Sequence, residues 1–199
     1  MSIKELSNKI VALRNADLEL RNQLIQSGEL FDGYHPEMEA LHIKNAEVLE
    51  EIIQDIGFPT TEKVGEEASK AAWLVIQHAI SKPNFMRRCV SLLEDVVHRQ
   101  KARPIDLAYL KDRIAVLEGN PQLYGTQFDW DENGELNPNL MDDVSVVDKR
   151  RKEIGLNSIA EQTKIIRQRA ESEVQSAPED YHVRHQQMTE WKRKVGWIV

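Results

Sequence analysis

The stretch "AAWLVIQHAI" at 71–80 constrains the fold more than any other part of the chain. Its apolar residues are not confined to one stripe, and a helix apolar on every side is normally the buried centre of its domain. It falls well short of the roughly 20 apolar residues needed to span a bilayer, so other helices must cover it. The sequence supplies them. Residues 3–26 carry Ile3, Leu6, Ile10, Leu13, Leu20 and Leu24 at spacings of 3 and 4 with one position skipped, which predicts an amphipathic helix. Gly28 and the loop "LFDGYHP" end it. Pro36 opens a second helix that runs to about Ile56 through Leu41, Leu49, Ile52 and Ile53, and "GFP" at 57–59 stops it. Thr60 or Thr61 caps the central helix and "SKPN" breaks it. A fourth helix follows with Phe85, Cys89, Leu92, Leu93, Val96 and Val97, and Pro104 opens a fifth, "IDLAYLKDRIAVL", which ends before Gly119. Loops this short predict antiparallel neighbours in a bundle.

Residues 120–140 break the helical pattern. Asn133-Gly134 is a strong hairpin signal because both residues tolerate positive φ, and the flanks "TQFDWDE" and "ELN" can pair until Pro138. Beyond "DKRRKEIGL", Ser158 and Glu161 are spaced as a capping box for a further, highly charged helix. The expected fold is mainly α: an antiparallel helical bundle with one small β-hairpin near residues 124–137 and a C-terminal helical arm. The expected division is a helical domain at 1–165 and an arm at 166–199. The arm ends in Trp191, Trp197, Ile198 and Val199, an apolar surface that needs cover. Its own bundle or a second copy can provide that cover, and a homodimer through the arm is the expectation.

Composition narrows the function. At 199 residues, with 41% hydrophobic and 30% charged residues, the chain can bury a core without staples. The single Cys89 excludes an intramolecular disulfide and a cysteine-rich zinc site. The opening "MSIKELSNKI" does not read as a signal peptide, so a cytoplasmic protein with no membrane partner is expected. A net charge of −7 argues against nucleic acid as a partner, since phosphate contacts need clustered cations. The basic run Lys149 to Lys152 reads as a solvated face.

The informative residues are those that break a helix's apolar stripe. Asp17 falls on the stripe of helix one, with Arg21 one turn away as an intrahelical partner. His42 and Asn45 fall on the stripe of Leu49, Ile52 and Ile56. Gln77 and His78 are the polar groups of the central apolar run, and Asp112 shares a side with Ile105, Ala108 and Val116, with Arg113 following it. Each has a plain structural alternative: a core histidine satisfied by one bond, an ordinary ion pair, a bridge between helices. Yet four helices each turn hydrogen-bonding groups inward, and buried polar groups need partners. One shared polar pocket accounts for all of them together.

The strings "AAWLVIQHA", "YLKDR" and "GNPQLYGTQ", in this order and spacing, resemble a bacterial domain family of unknown function over about residues 4 to 160. The chain departs from the pattern at Phe58, where "GWP" is expected, and at Ile80, where "QHAD" is expected, so a carboxylate at that position is missing. The resemblance implies that "PQLYGTQ" closes over the polar interior, but it brings no activity, cofactor or partner. Gln122, Tyr124, Thr126 and Gln127 would then offer donors and acceptors to a polar ligand. The alternative is that they lock the loop onto the helices.

Three readings follow. As an enzyme, His78 or His42 transfers protons near neutral pH, oriented by Asp17 or Asp112, while Arg113 or Arg21 holds an anionic group. Asn45, Gln77 and the loop residues position the rest. No nucleophile elbow, P-loop or dinucleotide fingerprint is present, so the reaction class and even enzymatic activity stay open and no cofactor is assigned. The alternative is a non-enzymatic interaction module whose polar core only fixes helix register, with "WKRKVGWIV" as its contact surface. A metal bound by two His and two Asp from facing helices is the third reading. It is set aside because no Glu-x-x-His or His-x-x-x-His pair lies inside these helices. The calcium-loop start "DWDENGE" also fails, because Leu140 stands where the twelfth-position Glu belongs. A small polar or anionic ligand is therefore the expected partner.

Overall fold

The computed structural model of the chain describes residues 2–29, 34–173 and 175–199. Residues 30–33 of the expected aromatic loop lie outside them. The fold is mainly α, 69% helical, with a two-stranded hairpin as its sheet. The chain divides into two compact units, Met1–Arg103 and Pro104–Val199.

The first unit holds α1 (Ile3–Ser27), α2 (Pro36–Ile56), α3 (Thr61–Val64), α4 (Glu66–His78) and α5 (Pro83–His98). As the apolar run predicts, α4 is its centre: α1, α2, α3 and α5 all pack on it. Ala71, Ala72, Val75 and Ile76 are buried there, as are Ile10 of α1, Leu49 of α2 and Phe85 and Leu93 of α5. Each of the larger of these side chains stabilises the fold by about 1.5–3 kcal/mol relative to exposure. One expectation fails. The segment from Thr61 to His78 is two helices, broken at Gly65, whose N–H caps α3 on the Thr61 carbonyl at 2.9 Å while its own carbonyl accepts from Ser69 N at 3.0 Å.

The second unit holds α6 (Pro104–Glu118), β1 (Phe128–Trp130), β2 (Leu136–Pro138), α7 (Val144–Glu153), α8 (Ile159–Ser172) and α9 (Tyr181–Val195). The strands pair antiparallel, Phe128 opposite Pro138 and Trp130 opposite Leu136. Of the turn pair Asn133-Gly134, only Gly134 has positive φ, at 73°. Asp131 shapes the turn instead, its carboxylate accepting from Asn133 N, Glu135 N and Asn137 Nδ2, each at 2.9 Å. The expected capping box at Ser158 and Glu161 is present at the start of α8. Trp197 is buried, Trp191 and Ile198 are half-buried, and Val199 is exposed. Among the described residues no helix is long and apolar enough to cross a membrane.

Helix α7 was not expected, and it corrects the reading of the basic run. Arg151 is fully buried. It donates to the Tyr124 carbonyl at 2.6 Å, to the Asn157 carbonyl at 2.5 Å and to Asn157 Oδ1 at 2.9 Å.

Candidate functional site: a buried carboxylate between two histidines

In the first unit Asp17, on α1, has no solvent exposure. His78 Nδ1 lies 2.7 Å from its Oδ2, and His42 Nε2 lies 3.1 Å from the same oxygen. The two contacts differ in kind. The first is a hydrogen bond, whereas His42 Nε2 sits within ion-pair distance but off the line that a hydrogen bond requires. Asp17 Oδ1 is sealed from solvent with no hydrogen-bond partner. Burial alone would raise the Asp17 carboxyl, but the hydrogen bond from His78 and the nearness of the His42 ring outweigh it and hold it well below the usual carboxylate range. The expected partner, Arg21, makes no ion pair with Asp17 among the described residues. Two titratable rings stand beside it instead.

The local sequence explains the geometry. Asp17 interrupts the α1 stripe between Ile10 and Leu24, both buried, so its side chain points into the unit. His42 interrupts the α2 stripe, and His78 is the last residue of α4. Asn45 donates from Nδ2 to the Leu13 carbonyl at 3.0 Å, fixing α2 against α1 one turn before Asp17. His42 Nδ1 lies 2.8 Å from Tyr34 Oη, and the two rings stack with centroids 5.8 Å apart. Burial pushes the Tyr34 phenol up, with the nearby Glu39 charge adding to it, so it remains a neutral partner. The His42 side chain is almost fully buried, while that of His78 is 25% exposed and provides the accessible edge. Gln77 is buried with its Nε2 unpartnered. Cys89 is no nucleophile: it is buried, and burial pushes its thiol up to about 12.

The remaining predicted residues are grouped in the second unit. Asp112 Oδ1 accepts from Leu123 N at 2.9 Å and Tyr124 N at 3.1 Å, and Oδ2 accepts from Thr126 N at 2.9 Å. Burial raises the Asp112 carboxyl despite these three amides. Gln122 is fully buried, its Oε1 accepting from Gln127 N at 2.7 Å and its Nε2 donating to the Gln127 and Asn139 carbonyls at 3.1 and 3.0 Å. Thr126 Oγ1 accepts from Gln127 Nε2 at 3.0 Å. Gly125 allows a close approach that no side chain could: a Cβ there would stand 2.5 Å from Ile159 Cδ1, at a φ of +60°. The loop is thus held by Asp112, Gln122 and Arg151. Arg151 lies one turn beyond the buried Val147, but within the basic run Lys149 to Lys152 nothing in the sequence marks it as the cation turned inward.

Arg113 is different. Its Nε is sealed without an acceptor, and burial lowers its guanidinium to about 10. A cavity of about 340 Å³ in the same unit is lined by Gly119, Asn120, Trp130, Tyr181, Arg184 and Lys192, and by none of the predicted ligand residues.

No curated protein and no solved structure matches the chain. A family model does match, over residues 4–174, nearly the whole sequence and both units' polar groups. The chain belongs to the Family of unknown function (DUF6624).

Proposed function

We propose that the chain binds a small polar or anionic ligand and transfers protons at the Asp17–His42–His78 centre of its first unit. One observation carries this reading: a fully buried carboxylate contacts two imidazoles, one of which keeps an accessible edge. Asp17 holds the Nδ1–H tautomer of His78, which leaves Nε2 with a lone pair at that edge. A buried, oriented imidazole of this kind is the usual acid–base group near neutral pH. A bacterial, cytoplasmic protein belongs to the same proposal. A homodimer through α9 and the residues after it belongs to the same proposal, and sedimentation equilibrium of the full-length chain tests it.

A library of small carboxylates and phosphates, screened by thermal shift, tests the reading. At least one compound should raise the melting temperature of the native chain and fail to do so for His78→Gln. The reading fails when no compound does this, or when His78→Gln responds like the native chain. A purely structural polar core is the second reading, and it has support in the second unit, where Asp112 and Gln122 spend their hydrogen bonds on the loop itself.

A further inference from the structure

The geometry points to a divalent transition-metal ion held by Asp17, His42 and His78, with the ion as the group that binds a small anion. This rests on the reading that these three residues are the working centre, and names what the centre holds.

The ligand atoms converge. Each residue offers one, and all lie within 4.8 Å of one another. Donors about 2.0–2.2 Å from a shared ion stand roughly 3.0–3.5 Å apart. The separation of 3.1 Å from His42 Nε2 to Asp17 Oδ2 already fits, and the 2.7 Å from His78 Nδ1 needs only a slight opening.

Hydrogen bonding leaves this arrangement half explained. Asp17 Oδ1 and His42 Nε2 are both sealed from solvent with no hydrogen-bond partner. A nitrogen 3.1 Å from a carboxylate oxygen but off its hydrogen-bond line is badly placed to share a proton and well placed to share an ion. The surroundings agree. A metal-bound histidine almost always fixes its other ring nitrogen to an oxygen, and His42 Nδ1 lies 2.8 Å from Tyr34 Oη. Donation from Nδ1–H to that oxygen leaves Nε2 with a free lone pair. His78 ends α4, where the partial negative charge of a helix C-terminus favours a cation.

The chemistry selects the ion and the ligand. Two imidazoles and one carboxylate suit zinc, iron(II), cobalt(II) or manganese(II), whereas magnesium and calcium prefer oxygen. Three protein ligands leave a coordination position for water or an anion. One carboxylate and two neutral imidazoles carry a net negative charge that repels an anion, and a dication reverses the sign. Water on zinc in such a site would ionise near neutral pH and so serve as the acid–base group of the loaded centre, while His78 serves in the ion-free protein. Spacing motifs do not reveal such a site because each helix contributes a single ligand.

The test uses the full-length chain, stripped with a chelator and titrated with cobalt(II) and zinc salts by calorimetry and visible absorption. One ion should bind per chain, with release of protons. Asp17→Asn, His42→Gln and His78→Gln should each weaken binding tenfold or more, and Tyr34→Phe by about tenfold. Inorganic phosphate should then shift the cobalt bands. Because variants of buried residues can misfold, ring-nitrogen NMR of the native chain gives an independent measure: zinc must move the His42 and His78 signals. Failure to bind at up to about 1 mM ion, unaltered affinity in both histidine variants, or zinc shifts confined to other histidines would overturn the ion site. Cobalt bands indifferent to phosphate would overturn the anion. A compound that stabilises the native chain but not His78→Gln, in the absence of ion binding, would sink this inference and leave the proposed function standing.

Discussion

His78 Nδ1 lies 2.7 Å from Asp17 Oδ2, across 61 positions of sequence. The folded state holds Asp17 below its ordinary value of 3.8, so this group's contribution to stability is full above that value and is lost as pH falls through the folded one. Asp17→Asn should therefore cost about 1–3 kcal/mol at neutral pH, since the His78 imidazole loses a charged acceptor. The gap to the native chain should narrow as the solution is made more acid than pH 3.8. Urea midpoints of the two proteins across an acid series measure it, and a gap independent of pH would contradict the assignment.

Asp112→Ala should loosen the loop rather than the helices. It removes the acceptor of Leu123 N, Tyr124 N and Thr126 N, and each donor left dry costs about 1–3 kcal/mol. Amide exchange should accelerate at those three positions first. Equal acceleration along all of α6 would mean the carboxylate holds the helix instead.

Arg151→Lys should be nearly as harmful as Arg151→Met. The guanidinium reaches the Tyr124 carbonyl and both oxygens of Asn157 at once, which a single ammonium cannot reproduce. A loss of about 1–3 kcal/mol in both variants is expected. Chemical denaturation checks it, and a fully stable lysine variant would show that charge alone suffices.

These residues also show how far the sequence could be read. The stripes of α1 and α2 were legible, so Asp17, His42 and Asn45 stood out as polar groups pointing inward. Asp17 and Asp112 were both open as the carboxylate beside His42 or His78, and the choice of Asp17 was not legible, because spacing orders groups along one helix and packing decides which helices meet. The break at Gly65 was hidden by good helix formers on either side. Arg151 was hidden for a different reason: inside the run Lys149 to Lys152, a buried cation looks like its exposed neighbours Lys149 and Lys152. For the loop, both a ligand-gripping and a self-locking reading were open, and Asp112 with Gln122 supports the second.

Gly125→Ala should cost at least about 1–2 kcal/mol, from the left-handed backbone and from a Cβ placed 2.5 Å from Ile159 Cδ1. Ile159→Val removes that methyl group. The double variant should recover the collision part and keep the backbone part, so a thermal-melting cycle should show favourable coupling. Simple additivity would mean the side chain yields freely.

The Asp112 carboxylate makes the 122–127 loop a receptor that carries its own guest. Backbone amides of Leu123, Tyr124 and Thr126 surround an anion that happens to be tethered to α6. Cutting the tether with Asp112→Gly would leave a cradle shaped for one carboxylate, and free formate or acetate should then refill it and restore the melting temperature in a concentration-dependent way. Chloride at the same ionic strength should not.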